Sequence, residues 1–311
     1  MSVQNKTCDI LIIGAGPAGL TAAIYSAWLG LKTLVLDSSI AGGKAWLAPK
    51  IENFPGFETG IKGSELIERM TKQAVRFGAE IVTSEEVVGL DLWAGQKRAV
   101  TRKQTYTASA VIVATGTQRK KLHVPGEAEF LGRGVSYCAI CDGPFFRKAK
   151  VAVIGNTDEA AIEALNLAEI VDHVFLVTYE GDLNVEGTLL SRLRSKSNIE
   201  IVNGKVTAII GTQAVKAIKI LEDNTKNEVE REVKGVFIAL GSVPLTAIVK
   251  NAGITVDRNG CLMVDRQQKT NIDGVFAAGD CTCGGMQVVT AAGEGAMAAM
   301  RASAYVRRVG K

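Results

Sequence analysis

Asp9-Ile10-Leu11-Ile12-Ile13-Gly14-Ala15-Gly16-Pro17-Ala18-Gly19 is the stretch that decides the fold. Its apolar run ends in glycine, as a strand buried on both faces does. Leu20-Thr21-Ala22-Ala23-Ile24-Tyr25 then reads as helix, and Thr33-Leu34-Val35-Leu36-Asp37 as a second strand with an acid at its end. In that strand–turn–helix–strand setting each glycine has a mechanical role. Gly14 permits a tight turn, Gly16 lets backbone approach a pyrophosphate, and Gly19 lets the helix lie close on the strand. Phosphates would meet the helix N-terminus, where free N–H groups and the dipole favour anions. Asp37 is placed to bind a ribose hydroxyl.

A related unit recurs. Val151-Ala152-Val153-Ile154-Gly155 reads as strand, Asp158 to Ala168 as helix, and Val174-Phe175-Leu176-Val177 as the next strand. Three further strands end in glycine: Ala110 to Gly116, Gly235 to Gly241, and Gly274 to Gly279. The expectation is an α/β fold of two doubly wound, Rossmann-like nucleotide-binding domains, of the three-layer ββα type, the second inserted in the first. The A-T-G and A-L-G strand ends mark the chain crossings. Residues 1–116 and 242–311 then form one discontinuous domain, and 117–241 the inserted one.

Cys138-Ala139-Ile140-Cys141-Asp142 carries the chemistry. A disulfide across so short a loop removes little chain entropy and is a poor staple. Its spacing suits two-electron exchange, one sulfur attacking and the other resolving, with Asp142 placed to move protons. The alternative is half a zinc site. There is no second C-x-x-C, and the histidines are only His123 and His173, so no metal site is expected. The other cysteines, Cys8, Cys261, Cys281 and Cys283, are expected to be reduced, passive core residues, with a second redox or metal feature as the alternative reading of Cys281-Thr282-Cys283.

The 311 residues carry 36 basic and 32 acidic side chains, a net charge of +4, too mild to argue for nucleic acid. Apolar residues make up 47%, yet no run reaches the length of a membrane span. The first residues have no apolar signal region, so a cytoplasmic location is expected. Arg119-Lys120-Lys121 and Arg147-Lys148-Ala149-Lys150 flank the cysteine pair in sequence. They read either as a solvated surface or as a rim that steers an acidic protein partner.

Gly279-Asp280 ends a strand just before Gly284-Gly285-Met286-Gln287-Val288 and a helix of small residues from Ala291 to Ala299. An aspartate there suits a ribityl hydroxyl, and the helix points its positive end at an isoalloxazine, which favours FAD over NAD in the first domain. With these residues the chain resembles the low-molecular-weight thioredoxin reductase family over nearly its whole length. Gly14 to Gly19, Gly42-Gly43, Glu52-Asn53-Phe54-Pro55-Gly56-Phe57, Ala114-Thr115-Gly116, Cys138 to Gly143, Gly279-Asp280 and Met286-Gln287 carry the resemblance. The resemblance implies FAD, a homodimer and a thioredoxin-like substrate. It implies that Cys141 faces the flavin, that Cys138 attacks the substrate disulfide, and that Asp142 is the acid/base. The cofactor-binding positions it implies are Gly14, Gly16, Pro17, Ala18, Gly19, Asp37, Gly43, Lys44, Asn53, Val87, Thr115, Gly116, Gly279, Asp280, Met286, Gln287 and Val288. It also implies a swinging inserted domain with hinges near 117 and 241.

The second fingerprint departs from the family's pattern. Members that use NADPH show G-x-G-x-x-A, and this chain has Gly155-Asn156-Thr157-Asp158-Glu159-Ala160. Thr157 stands where backbone should approach a pyrophosphate, and two acids open the helix. The family's basic H-R-R-x-x-x-R run is replaced by Thr178-Tyr179-Glu180-Gly181-Asp182-Leu183-Asn184. Losing two charged contacts to the 2′-phosphate costs about 3–6 kcal/mol. NADPH is therefore an unlikely donor. Glu180 is placed to accept the 2′-hydroxyl of NADH, though Thr157 argues against NADH equally. Relatives with such a degraded fingerprint resemble reductases driven by an acidic ferredoxin, by the reduced deazaflavin cofactor F420 or by a second flavin, so the resemblance implies one of these donors; Trp46 and Tyr179 read either as packing residues or as stacking partners for a second flavin. Flavoprotein reduction of a small disulfide is the alternative activity.

Overall fold

The structure, a computed structural model, describes residues 5–48, 50–179 and 181–310. It has the α/β architecture with two Rossmann-like units that the sequence implies. One compact unit comprises Met1–Gln118 with Val243–Lys311, and the other Arg119–Ser242.

The first unit is built on β1 (Asn5–Ile13), α1 (Pro17–Trp28), β2 (Thr33–Leu36), α2 (Gly43–Trp46), α3 (Gly63–Arg76), β3 (Glu80–Val82), β4 (Val87–Asp91), β5 (Lys97–Thr101) and β6 (Thr105–Val113). Strands β3, β2, β1 and β6 lie side by side in parallel. Strand β6 serves two layers. Its first half pairs antiparallel with β5, and its last residues pair in parallel with β17 (Val275–Ala277). That division produces the extra β layer, with β4 antiparallel to β5. Ile10, Leu11 and Ile12 are fully buried because the sheet is covered on both faces. Helices α1, α3 and α8 (Val288–Val309) pack on one face, and residues such as Val249, Ile254 and Leu262 on the other.

Helices α1 and α8 touch through small residues. A Cβ added to Gly295 would lie 2.1 Å from the Ala18 carbonyl oxygen, and Ala298, Ala299 and Ala302 are fully buried. Bulkier side chains would separate the helices, so the run of alanines and glycines sets how closely they approach. Both helices begin at the glycine-bearing loops, and this contact fixes where those loops sit.

In the second unit come β7 (Thr117–Arg119), which carries the chain across the boundary, β8 (Val135–Ser136), α4 (Ala139–Asp142), β9 (Lys150–Ile154), α5 (Asp158–Ala168), β10 (His173–Val177), α6 (Gly187–Ser195) and β11 (Ile199–Val202). They are followed by β12 (Gly204–Gly211), β13 (Val215–Glu222), β14 (Glu228–Glu232) and β15 (Gly235–Ile238). The parallel sheet has the order β11-β10-β9-β15-β8. A second, antiparallel sheet, β12-β13-β14, covers one face of it, and α5 and α6 cover the other. Strand β16 (Ser242–Pro244) and helix α7 (Ala247–Asn251) return the chain to the first unit. Among the described residues no helix is long and apolar enough to cross a membrane.

Candidate active site

The glycine turn between β1 and α1 has the three geometries its spacing implies. Gly14 has φ +106°, and a Cβ there would collide with the Ala114 carbonyl; a Cβ on Gly19 would collide with the Gly14 carbonyl. A Cβ on Gly16 would meet nothing within 4 Å. The first and third glycines are thus required by backbone contact, and the second faces open space. Helix α1 starts with Pro17 at its first position and has no side-chain cap, so the N–H groups of Ala18 and Gly19 are available to an anion. The Asp37 carboxylate ties the turn to the end of β2, accepting the N–H of Ala15 at 2.7 Å and of Ser39 at 2.8 Å. A carboxylate has about four acceptor sites, which leaves room for ribose hydroxyls.

The remaining first-unit positions converge through polar contacts. Gly43 and Lys44 begin α2. Lys44 Nζ lies 2.5 Å from Asp280 Oδ2 and donates to Thr117 Oγ1 at 2.6 Å, so the partly buried Asp280 carboxylate is charge-balanced from within. Asn53 Nδ2 donates to Gln287 Oε1 at 3.0 Å. Gln287 is the N-cap of α8, Val288 its first residue, and the exposed Met286 precedes them. Thr115 and Gly116 follow β6, and Gly279 and Asp280 follow β17. Glu294 on α8 holds that loop by accepting the Gly279 N–H at 2.7 Å and the Thr282 hydroxyl at 3.1 Å. Val87 opens β4 beside a groove lined by Ser38, Ser84, Glu85 and Glu86. This set of open N–H donors, a carboxylate at the end of the second strand and paired polar groups matches the chemistry of a dinucleotide with a polar tail.

In the second unit, Cys138 and Cys141 are joined, with Cα atoms 5.3 Å apart. Cys138 is the N-cap of α4, and its sulfur accepts the Cys141 N–H at 3.3 Å. That N–H would also stabilise a Cys138 thiolate once the bond opens. Ser136 locks the turn: its hydroxyl accepts the Cys138 N–H at 3.0 Å and donates to Asp142 Oδ2 at 2.6 Å. Burial raises the Asp142 pKa above the ordinary aspartate value, while Ser136 and the Arg119 guanidinium pull it back. Disulfide, carboxyl and hydroxyl thus sit within one turn.

The chain's own groups border the second glycine turn. Helix α5 begins with Asp158 and Glu159 and has no side-chain cap. A Cβ on Gly241, at the end of the strand β15 segment, would stand 3.7 Å from Glu159 Oε2. The Glu159 carboxylate therefore lies beside Gly241. The loop after β10 closes on the same turn, with the Asn184 N–H donating to the Asn156 carbonyl at 2.8 Å. Glu180 lies outside the described residues. Trp46 and Tyr179 pack against the cores of their respective units, and Lys205 Nζ lies 5.7 Å from the Tyr179 ring.

Two features escape sequence reasoning. Cys261 and Cys283 are not reduced core thiols as expected: they form a second disulfide, with Cα atoms 5.7 Å apart, and Cys283 is only partly buried. Their separation of 22 residues carries no recognisable redox spacing. Among the described residues the free thiols are the buried Cys8 and Cys281; burial pushes them up to about 12 and about 11. The second feature is Glu163 on α5. Its Oε2 is buried with no hydrogen-bond partner. Burial, then the like charge of Glu159, raises its pKa to about 7, although the Ala139 backbone beside the cysteine pair opposes the rise.

Comparison with known proteins agrees with this arrangement. The pattern of the pyridine nucleotide-disulphide oxidoreductase family matches residues 8–295. A thioredoxin reductase of Treponema pallidum (strain Nichols) is 40% identical over 300 residues, covering 96% of this chain and 97% of that protein. The crystal structure of a thioredoxin reductase from Streptococcus pyogenes superposes with a TM-score of 0.92 at 34% identity, covering 98% of this chain and 100% of the other. A ferredoxin-flavin thioredoxin reductase from Clostridium acetobutylicum matches at 34% identity with a TM-score of 0.53, covering 98% and 100%.

Proposed function

The chain belongs to the pyridine nucleotide-disulphide oxidoreductase family, among the low-molecular-weight thioredoxin reductases, and we propose that it reduces a thioredoxin-like protein through Cys138 and Cys141 with electrons from a donor other than NADPH. As a member it is a flavin-dependent disulfide oxidoreductase. FAD supplies the two-electron chemistry when bound. The first unit holds it: Gly16, Ala18 and Gly19 present backbone to the pyrophosphate, Pro17 fixes the helix start, and Asp37 takes the ribose. Gly43, Lys44, Asn53, Val87, Thr115, Gly116, Gly279, Asp280, Met286, Gln287 and Val288 complete the site. The open space at Gly16, between two glycines locked by backbone, supports this reading.

The chain's own residues perform the exchange. Once the disulfide is reduced, the Cys138 thiolate, stabilised by the Cys141 N–H, attacks the partner's disulfide. Cys141 then attacks the mixed disulfide, the bond to Cys138 re-forms, and the partner leaves as a dithiol. Asp142, raised by burial, holds a proton at a higher pH than a solvated aspartate and delivers it to the departing thiolate. In this scheme Cys141 would be the sulfur that takes electrons from the flavin, and residues 117–241 the inserted domain that carries it.

The observation that carries the donor proposal is the Glu159 carboxylate beside Gly241, with Thr157 as the N-cap of α5. Acid–phosphate repulsion adds to the loss of the basic run. We assign the donor role to a reduced, acidic ferredoxin-type protein. Exposed basic side chains, Lys120 and Lys121 in one group and Arg147, Lys148 and Lys150 in another, are open to an acidic partner, and the Clostridium relative's name includes ferredoxin. A cytoplasmic homodimer is part of the same reading. The test is anaerobic titration of the oxidised protein with reduced ferredoxin, reduced F420, NADH and NADPH while flavin absorbance is followed. Ferredoxin should bleach the flavin stoichiometrically. Rapid bleaching by micromolar NADPH would overturn the donor assignment.

A further inference from the structure

The Cys261–Cys283 disulfide joins two segments of the first unit at a consequential place. One is a tight turn: Asp257 Oδ1 accepts the N–H groups of Asn259 and Cys261 at 2.8 and 2.9 Å, and the Asp257 N–H returns to the Cys261 carbonyl at 2.9 Å. The other is the loop between Asp280 and Gln287. Cys283 stands there at φ +60° with its N–H on the Asp280 carbonyl. The loop then runs through the exposed Gly284, Gly285 and Met286. Its two ends carry the groups already described, Asp280 paired with Lys44 and Gln287 with Asn53. The sulfur bond therefore anchors the middle of a glycine-containing loop whose first residues Glu294 also holds.

The two cysteines differ in exposure. Cys261 is 5% exposed, whereas Cys283 is only partly buried. An incoming thiolate therefore meets Cys283 first. The adjacent Cys281 does not compete: it is fully buried, and its thiol donates to the Val113 and Ala278 carbonyls. Exchange at this bond is confined to its own two sulfurs.

We propose that Cys261–Cys283 is a second thiol–disulfide exchange site, opened by a reduced dithiol protein of the thioredoxin class, and that its state sets how firmly the Asp280–Gln287 loop holds FAD. This rests on the FAD reading above. In the forward step the dithiol's thiolate attacks Cys283 Sγ, a mixed disulfide forms, and Cys261 leaves as a thiolate and takes up a proton. The dithiol's second sulfur then attacks the mixed bond, releasing Cys283 as a thiol and the partner as a disulfide. Two electrons pass from dithiol to this pair. The product of the main reaction is thereby the reductant of this site.

The experiment uses the FAD-loaded Cys138→Ser/Cys141→Ser protein, so that this bond alone exchanges. It is incubated anaerobically with reduced thioredoxin and alkylated; the modified peptides are mapped by mass, and FAD release is followed by fluorescence after ultrafiltration. The expected result is new alkylation at Cys261 and Cys283 and an FAD dissociation constant raised about tenfold, the scale of ordering one or two side chains on binding. A Cys261→Ser/Cys283→Ser change in the same background should show the weaker binding at once and no response to thioredoxin. A bond that stays closed marks a structural staple and overturns the proposal. So does a bond that opens with FAD retention unchanged. Should the serine variant not fold, the dithiol arm decides alone. A protein that never binds FAD ends the reading above together with the loop's proposed consequence, while peptide mapping still decides whether exchange occurs.

Discussion

Glu163 offers a test of the packing around the cysteine pair that is independent of any cofactor. Its carboxyl is pushed from 4.5 to about 7 by burial and by Glu159 one helical turn earlier. The folded state therefore binds this proton more tightly than the unfolded chain. The stability it contributes is fully present below pH 4.5 and is lost as the pH rises to about 7. At about 1.4 kcal/mol per pH unit, that gap makes the ionised form cost on the order of 3 kcal/mol in the fold. Glu163→Gln keeps the shape and removes the ionisation. Relative to the variant, the wild type should lose roughly 3 kcal/mol of unfolding free energy between pH 4.5 and pH 8. All 3 tryptophans, Trp28, Trp46 and Trp93, lie in the other unit, so fluorescence would report the wrong transition. Pulse hydrogen exchange across a urea series, read on peptides from Lys150–Ile154 and His173–Val177, follows the second unit itself. Parallel pH profiles, differing by less than about 0.5 kcal/mol, would refute the argument.

Asp142→Asn should slow thioredoxin reduction about 10²–10⁴-fold by removing the proton carrier. In the wild type the rate should fall as the pH rises past the Asp142 pKa. Ser136→Ala, which removes a hydrogen bond to the ionised form, should move that limb to higher pH in a pH–rate profile. Lys44→Met leaves the partly buried Asp280 without its 2.5 Å partner; FAD affinity by equilibrium fluorescence should drop about tenfold. Gly16→Ala and Gly295→Ala should separate binding from folding. The first adds a methyl that touches nothing, leaving apo-protein melting unchanged but expelling the diphosphate. The second drives a methyl to 2.1 Å from the Ala18 carbonyl, costing about 1–3 kcal/mol and lowering the melting temperature by calorimetry.

Much of the fold was legible because its signals are local. The strand beginning at Asp9, the helix from Asp158 to Ala168 and the long helix through Ala291 to Ala299 all announce themselves by periodicity and small residues, and all are present. The two-layer use of β6 was not legible, since one continuous apolar strand gives no sign that its halves take different partners. The C-x-x-C pair is readable from spacing; Cys261–Cys283 is not, because its members meet only through the turn at Asp257 and the loop at Asp280. Glu163 looks in sequence like any helix carboxylate. Its orphaned oxygen and raised pKa exist only once α5 packs beside Ala139. Conversely, the altered second fingerprint was plain in sequence, and the structure adds where Glu159 points and that Asn184 closes the turn.

The central claim is that electrons leave a bound flavin by way of Cys138 and Cys141. Its most direct test is independent of the natural donor. The FAD-loaded protein is reduced with dithionite, desalted anaerobically and mixed in a stopped-flow cell with oxidised thioredoxin. The flavin absorbance should recover as thioredoxin thiols appear, two for each flavin reoxidised beyond the two that the reduced Cys138–Cys141 pair supplies, and Cys138→Ser should abolish both signals. A Cys138→Ser protein that reduces thioredoxin at the wild-type rate, or a wild-type protein whose reduced flavin is indifferent to thioredoxin, would contradict it.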